Sequence, residues 1–521
     1  MRRVLPDLAL AALVAAFAFA CARFVWQPTL ATFADDSVSY LVMAQVFSPF
    51  QAASPAVAAS FAREAFYPPL FPLVLALAGA AHNIAWAHAV TALLLAAALP
   101  LAYLLGVRWL GGRGAALAAM ACIALAPSLW INSKGILSET LFCLLLVAFF
   151  LVLECEKPSG WRLGLLMAGL ALTRTAALPM IAVYGLWAFA RRGSLAERAR
   201  SALPAAAALL AYALWVLLRP AVQTEGDYAS ILLDKGQGLF GGSAGFIPAL
   251  AASVARQANA IAEGWAGSLL LYWVEGRPLR FALASAVGLL ALAGMAIRLW
   301  RGKPDGWMVA AYLATLLAWP FYEQMERFLF PLLPVLILYA FLAAGEALRA
   351  AKGKPALAHA LLAGLLLSLV LPAMAFVHQR AQAGGREVAI TDWYRTPDLK
   401  RARLRSQTHL ALLDDMQTIR QITQPGERVM WVTPSYVALL ADRSAVAAPD
   451  ARLTPAAYRD AVRKSGADYV FLSRYHPRDT LRDTAWQAGV RALSDDAKAI
   501  HTSTQDGGSI VSSILLRIPP Q

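Results

Sequence analysis

The sequence predicts a polytopic α-helical membrane protein carrying a small α/β domain at its C-terminus. Three observations lead there. Apolar runs of about twenty residues recur through the first 377 residues, basic residues gather in the short segments between them, and the composition changes near residue 378. Of the 521 residues, 59% are hydrophobic and only 15% charged, against about 25% charged in an ordinary soluble chain. Mean hydropathy is +0.55.

The apolar runs cover 4–26, 83–106, 114–130, 137–153, 162–190, 202–218, 280–299, 306–320, 328–347 and 356–377. Between them lie Arg2/Arg3, Arg108/Arg113, Lys157/Arg162, Arg191/Arg192/Arg198/Arg200, Arg298/Arg301/Lys303 and Arg349/Lys352/Lys354. Their spacing fits one side of a membrane, which the positive-inside rule makes cytoplasmic. The run 162–190 has basic residues at both ends, so it must cross an even number of times. It is interrupted by Thr173-Arg174-Thr175 and by Pro179, and two short helices joined near Arg174 satisfy both facts. That gives about eleven crossings, with the N-terminus inside and the C-terminus outside.

The outer side then holds 27–82, the turn at 130–137, the neighbourhood of Arg174, the loop 219–279, the segment 320–328 and everything beyond about 378. Residues 68–81 are apolar but short and proline-rich, and read as a juxtamembrane helix within the first outer loop. Past 378 the stretches Arg428–Val432, Tyr469–Ser473 and Ser513–Ile518 are β-rich, with helical patterns at Ser435–Asp442 and Pro455–Ser465 between them. The expected division is a membrane domain over 1–377 and an outer α/β domain over 378–521.

The net charge of +14 and pI of about 9.8 would suggest nucleic acid in a soluble protein. Here the cations sit in loops between apolar runs, and no basic stripe with interleaved aromatics is present, so no nucleic-acid partner is expected. Cys21, Cys122, Cys143 and Cys155 all lie in or beside apolar runs, which indicates neither a disulfide framework nor a thiolate metal site. Met1-Arg2-Arg3, an apolar stretch and the small residues Ala18–Ala20 resemble a signal peptide. The stretch is longer than a typical signal core, so an uncleaved first helix is expected.

Residues 33–41 read FADDSVSYL, an acidic pair directly after the first membrane-length run. A carboxylate at mid-bilayer costs about 2.5–3.5 kcal/mol, and one at the interface much less. Asp35 and Asp36 can therefore stay ionised at the membrane boundary and face a lipid-borne substrate. The same topology brings Glu139, which follows Ser138 at a helix start, Arg174, and Arg327 of YEQMERFLFPLLP to the outer face. Arg63–Pro69 (REAFYPP) belongs to that face too. Carboxylates beside arginines meet a specific need: a base to deprotonate an acceptor hydroxyl, and cations to hold a departing phosphate.

In order, the chain carries Asp36 four residues before Tyr40, then YPPLFPLVLALAG, GVRWLGGRGAALAA, APSLW, LSETLF, GLALTRTAALP and ERFLFPLLP. Together these resemble the GT-C superfamily of glycosyltransferases, in the branch with protein O-mannosyltransferases and the lipid A aminoarabinose transferase, over about the first 350 residues. The resemblance implies a GT-C-like membrane fold and transfer of a sugar, with inversion, from a polyprenyl-phosphate carrier to an acceptor on the periplasmic side of a bacterial inner membrane. Asp36 aligns with the family's catalytic aspartate, and Asp35 is a neighbour that could tune it or help bind acceptor or metal. Glu139 aligns with the acid of the second outer loop, while Arg174 and Arg327 fall where they would suit the carrier phosphate. Tyr40, Arg63 and Tyr67 complete the candidate substrate-binding set. Tyr67 is a departure, because the aminoarabinose transferases have a lysine before the Pro-Pro. The acceptor stays open among glycolipid, polysaccharide and protein. No cofactor is obligatory, and a divalent cation on Asp35, Asp36 and Glu139 is the open alternative.

Plainer readings stand beside these. The aspartates could cap the next helix, Ser138-Glu139 could be an ordinary helix start, Arg174 could anchor a turn, Arg327 could snorkel, and Tyr40 and Tyr67 could simply pack. A transporter or flippase is the rival function. It predicts ionisable residues buried mid-helix and symmetric broken helices, whereas these acids sit at helix ends and no repeat is visible. A purely structural role would not need about eleven helices.

Overall fold

The structure, a computed structural model, describes residues 5–33, 36–220, 246–271, 278–319, 321–474, 482–494, 497–505 and 510–519. The chain begins with α1 (Leu5–Val25), and segment 27–82 folds as three short helices, α2 (Ser37–Phe47), α3 (Pro55–Glu64) and α4 (Leu70–Leu77). There follow α5 (Ile84–Leu110), α6 (Arg113–Ala124), α7 (Pro127–Ser133), α8 (Glu139–Leu153), α9 (Gly160–Ala171), α10 (Ala177–Ala190) and α11 (Leu195–Leu218). Next come α12 (Phe246–Leu270), α13 (Pro278–Trp300), α14 (Pro304–Ala318), the short α15 (Met325–Leu329), α16 (Leu333–Ala350) and α17 (Pro355–Ala383).

Local chemistry sets the boundaries. Ser54 caps α3 by accepting from Val57 N at 3.3 Å, ahead of Pro55 in the first turn. Asn83 caps α5 through Trp86 N at 3.0 Å, and Gly111 ends it in the left-handed region at φ 71°. The run 162–190 does divide into α9 and α10, separated by residues 172–176.

Helices occupy all eleven expected crossings. Among the described residues, six are long and apolar enough to span a membrane, or seven if the bent pair α6 and α7 is one span. The difference from eleven is one of length. At about 1.5 Å per residue, α8, α9, α10 and α14, with 15, 12, 14 and 15 residues, fall short of a hydrocarbon core about 30 Å thick. The segment 219–279, expected as a loop, contains the 25-residue α12. Arg256, Gln257, Asn259 and Glu263 break up its apolar runs, so no membrane-length apolar stretch marks it in the sequence.

The helices pack closely. A Cβ on Gly294 of α13 would lie 2.0 Å from the Tyr339 carbonyl oxygen of α16, so only glycine allows that approach. Arg298, expected as a loop cation, is buried at the end of α13. Its Nε and Nη2 donate to Asp305 at 2.9 and 2.8 Å, Nη2 also reaches Glu154, and its guanidinium lies 4.6 Å from the Trp109 ring centroid. Tyr339 donates to the same Asp305 at 2.7 Å. An arginine with two carboxylates in a low-dielectric setting is held, not solvated.

Beyond α17, helix α18 (Leu399–Ile422) leads into a five-stranded sheet. Its strands are β1 (Arg428–Trp431), β2 (Ser444–Ala447), β3 (Tyr469–Ser473), β4 (Lys498–Gln505) and β5 (Ile510–Arg517), with α19 (Pro455–Lys464) and α20 (Arg482–Leu493) between. The order is β2-β1-β3-β5-β4. β1 pairs in parallel with β2 and β3, while β5 is antiparallel to β3 and β4. Strand β2 has a single β-branched residue, Val446, and β4 dilutes Ile500, Thr502 and Thr504 with Lys498, His501, Ser503 and Gln505, so neither stands out in the sequence.

The sheet packs on the segment after α1. Phe33 meets Tyr436 at 4.8 Å and Trp431 at 6.3 Å between ring centroids. Lys134, after α7, is buried and donates to Phe24 O at 2.9 Å and Gln27 Oε1 at 3.2 Å, over the rings of Phe24 and Tyr394. It thereby ties α1 and α7 to the turn 391–394.

Removing Asp305 from the Arg298 cluster should strip the buried cation of the carboxylate that takes both its Nε and its Nη2, leaving it Glu154 alone of the two. Asp305→Ala is expected to cost about 3–5 kcal/mol, and replacing both partners (Arg298→Met with Asp305→Leu) to recover much of it. Thermal unfolding of the detergent-purified variants measures this, and a double variant no better than the single one would contradict it.

Candidate active site

Asp36 stands at the N-terminus of α2, where a helix cap would accept from backbone N–H groups. It makes no such bond. Its Oδ1 accepts from the Tyr67 hydroxyl at 2.7 Å and its Oδ2 is bound by Arg327 Nη2. The capping reading therefore fails for Asp36. Asp35 lies outside the described residues.

Arg327 comes from α15, in the stretch before α16. Its fork is divided: Nη2 on Asp36, Nε on Glu139 Oε1 at 2.5 Å, and Nη1 towards Gln324 Oε1 at 3.4 Å. Glu139, in the first turn of α8, also receives Arg174 Nη1 at 2.7 Å. Arg174 arrives from the break between α9 and α10, where the unwound chain lets a long side chain turn inward. Four charges thus alternate in one line, Asp36, Arg327, Glu139, Arg174, two of each sign.

Exposure separates the two acids. The Glu139 side chain is 0% exposed and that of Asp36 25%. Glu139 is the internal anchor of both arginines, and Asp36 is the acid at the open end. Burial alone would raise the Asp36 carboxyl, but the Arg327 guanidinium and the Tyr67 hydroxyl outweigh it and hold the group below the usual carboxylate range. Arg174 Nη1 also donates to Ser138 Oγ at 3.1 Å, while its buried Nε has no hydrogen-bond partner among the described residues. That nitrogen is a donor held in reserve.

Tyr40 is buried, with its hydroxyl 2.8 Å from Ser138 Oγ, and its ring packs edge-on against Tyr67 at 5.2 Å and Phe71 at 5.1 Å. It shapes the wall behind Asp36. Arg63 sits apart from the charge line, donating to Ser60 Oγ at 2.9 Å and to Ala445 O of β2 at 3.2 Å. Asp36, Glu139, Arg174, Arg327, Tyr40 and Tyr67 come together. Ser138 and Glu64 join them without having been chosen from the sequence. Ser138 had been read only as a helix start, and Glu64 sat inside REAFYPP without a partner that the sequence could name.

A metal would need several donors free at once. Among the described residues no three His, Cys, Asp or Glu side chains come together, and Asp36 and Glu139 are both engaged by arginines. Asp35, the third candidate donor, lies outside the described residues, and a divalent cation on Asp36 and Glu139 would have to displace Arg327.

The two acids should respond differently to neutralisation. Glu139→Gln leaves two buried guanidiniums without their anchor and is expected to cost about 3–5 kcal/mol, whereas Asp36→Asn should cost about 1–2 kcal/mol. Thermal unfolding in one detergent compares them, and equal losses would refute the assignment of Glu139 as anchor.

No protein-family model and no curated protein matches the sequence. Solved structures do match the fold. One is ArnT from Cupriavidus metallidurans bound to undecaprenyl phosphate, 14% identical, with a TM-score of 0.53 over 98% of this chain and 99% of that one. Another is the archaeal oligosaccharyltransferase AglB from Archaeoglobus fulgidus in complex with an inhibitory peptide and a dolichol-phosphate. It is 14% identical, with a TM-score of 0.50 over 98% of this chain and 76% of that one. The membrane fold expected from the resemblance to the GT-C superfamily is the fold that this chain shares with both.

Proposed function

We propose that this chain is an inverting glycosyltransferase that moves a sugar from a polyprenyl-phosphate carrier to an acceptor hydroxyl at the periplasmic face of a bacterial inner membrane. The observation that carries the reading is the Asp36 carboxylate, free of helix capping and facing an arginine pair anchored on a buried Glu139. The ligands of the two fold neighbours, undecaprenyl phosphate and dolichol-phosphate, are the class that such an arginine pair suits. Residues 1–377 would form the catalytic domain and 378–521 the periplasmic domain, with the N-terminus in the cytoplasm. The acids lie at helix ends rather than mid-helix, which disfavours the transporter reading.

In the proposed reaction the acceptor oxygen forms a bond to the anomeric carbon while the bond from that carbon to the phosphate oxygen breaks. The bonding pair leaves with the phosphate, and the acceptor's proton passes to Asp36. Single displacement inverts the centre. The arginines stabilise charge growing on the leaving phosphate. Arg174 offers its unpaired Nε. Arg327 has each arm of its fork engaged, so it can reach phosphate only by leaving one partner. Of its two carboxylate partners, Asp36 is the one nearer solvent. Phosphate binding would then release the Asp36 carboxylate, raise its proton affinity and make it a better base.

Two experiments test this. The first is mass spectrometry of envelope glycolipids, polysaccharides and glycoproteins from cells lacking the gene. One glycan is expected to lack a single sugar, restored by the wild-type gene but not by membrane-localised Asp36→Asn. Full restoration by that variant would remove Asp36 as the base. The second is binding of undecaprenyl phosphate to purified protein. Asp36→Asn, which removes the competitor for Arg327, should bind about tenfold tighter, and Arg174→Ala about tenfold weaker, each equivalent to one charge-assisted hydrogen bond. Unchanged affinity in Asp36→Asn would end the competition argument.

A further inference from the structure

The end of α3 ties the sheet domain to the charge line. Glu64 is 9% exposed and accepts from Ser435 Oγ, in the turn after β1. The Ser39 hydroxyl, on the first turn of α2 three residues beyond Asp36, acts on the same carboxyl and lowers its proton affinity. The Glu64 backbone carbonyl accepts from Tyr67 N at 3.2 Å. The neighbouring Arg63 fastens the same helix end to Ala445 O of β2 at 3.2 Å. From the other side Arg219 Nη1 donates to Phe66 O at 3.0 Å and Ala65 O at 3.4 Å. The turn 64–67 is therefore gripped on both flanks, and it delivers the Tyr67 hydroxyl to Asp36 at 2.7 Å.

We propose that Glu64 is a positioning residue: by joining Ser435 of the sheet domain to the turn that carries Tyr67, it fixes the distance between Asp36 and Tyr67 and makes the sheet domain part of the active-site geometry. This rests on the reading of Asp36 as the base. A merely structural carboxyl would need only any partner. This one holds the turn whose position decides whether Tyr67 reaches Asp36. Burial pushes the Glu64 carboxyl up, with the Asp36 charge acting in the same direction, while Ser39, Ser435 and Arg63 oppose it. The hydroxyl contacts are thus what makes the buried carboxyl tolerable, and losing either should loosen the turn.

The groups that set the Asp36 titration are Arg327, Arg174 and Tyr67. Glu64 and Tyr40 also face it. Removing the Tyr67 bond takes away a lowering influence, so the acidic limb of a rate profile should move to higher pH. Initial rates of sugar transfer can be followed by mass spectrometry in membranes of the deletion strain, which supply native donor and acceptor. Ser435→Ala and Glu64→Ala should slow transfer about tenfold, the kinetic equivalent of about 1.4 kcal/mol. Ser435→Ala, which leaves the Glu64 charge in place, should shift the acidic limb upward, as should Tyr67→Phe. Combining Glu64→Ala with Tyr67→Phe should add little to either alone. Ser435→Thr, which keeps the hydroxyl, and Glu64→Gln, which keeps an acceptor, should stay near wild type.

Amide hydrogen exchange over 61–72 gives a second readout that needs no catalysis, and it should rise in Ser435→Ala and Glu64→Ala. Unchanged exchange, or fully additive rate losses with an unmoved limb, would overturn the positioning role. Transfer at the wild-type rate by Asp36→Asn would instead overturn the base assignment, and the positioning role with it.

Discussion

The site depends on one shared guanidinium. Arg327 reaches the buried Glu139 with Nε and the half-open Asp36 with Nη2, so the position of each acid is set by the same planar fork. A lysine could not do this, because a point charge on a flexible stem does not fix two carboxylates at a defined separation. Arg174 completes the balance on the far side of Glu139. Two acids and two bases in a low-dielectric setting neutralise one another, and this lets the charges exist there at all.

The helices are arranged around that requirement. Glu139 begins α8, Arg327 sits in the single turn of the short α15 before α16, and Arg174 occupies the gap between α9 and α10. Each charged side chain thus comes from a helix end or a break, where the backbone can turn it towards the others. Glycine brings α12 in against the same segment: a Cβ on Gly264 would lie 2.8 Å from Glu326 N, next to Arg327. The far end of the bundle repeats the principle with Arg298, Asp305 and Glu154, which locks α13 to α14 without forming part of the charge line at Asp36.

The sheet domain is not a passive appendage. Phe33, Trp431 and Tyr436 pack the segment before Asp36 against β1 and the turn that follows it. Glu64 and Arg63 fasten the end of α3 to the same region. The acid is therefore bordered by the helical bundle on one side and by elements tied to the sheet on the other.

Much of this was legible in the sequence, because membrane insertion writes itself in composition. Apolar runs, basic loops and the break at Thr173-Arg174-Thr175 located the helices and placed Asp36, Glu139, Arg174 and Arg327 at their ends. What the sequence could not state was pairing. Asp36 and Arg327 are 291 residues apart, and Glu64 and Ser435 are 371 apart. No local pattern encodes such contacts. Helix α12 and the strands β2 and β4 escaped because their hydrophobicity is diluted or their propensity weak, so their burial comes from neighbours rather than from their own pattern. Sequence alone determined the class of protein, a chain of many apolar helices, because the cost of placing charge in lipid keeps such runs free of ionisable residues. Only the tertiary structure decided which charges meet, because a hydrogen-bonded fork acts over a few ångströms between helices that the chain brings together from far apart.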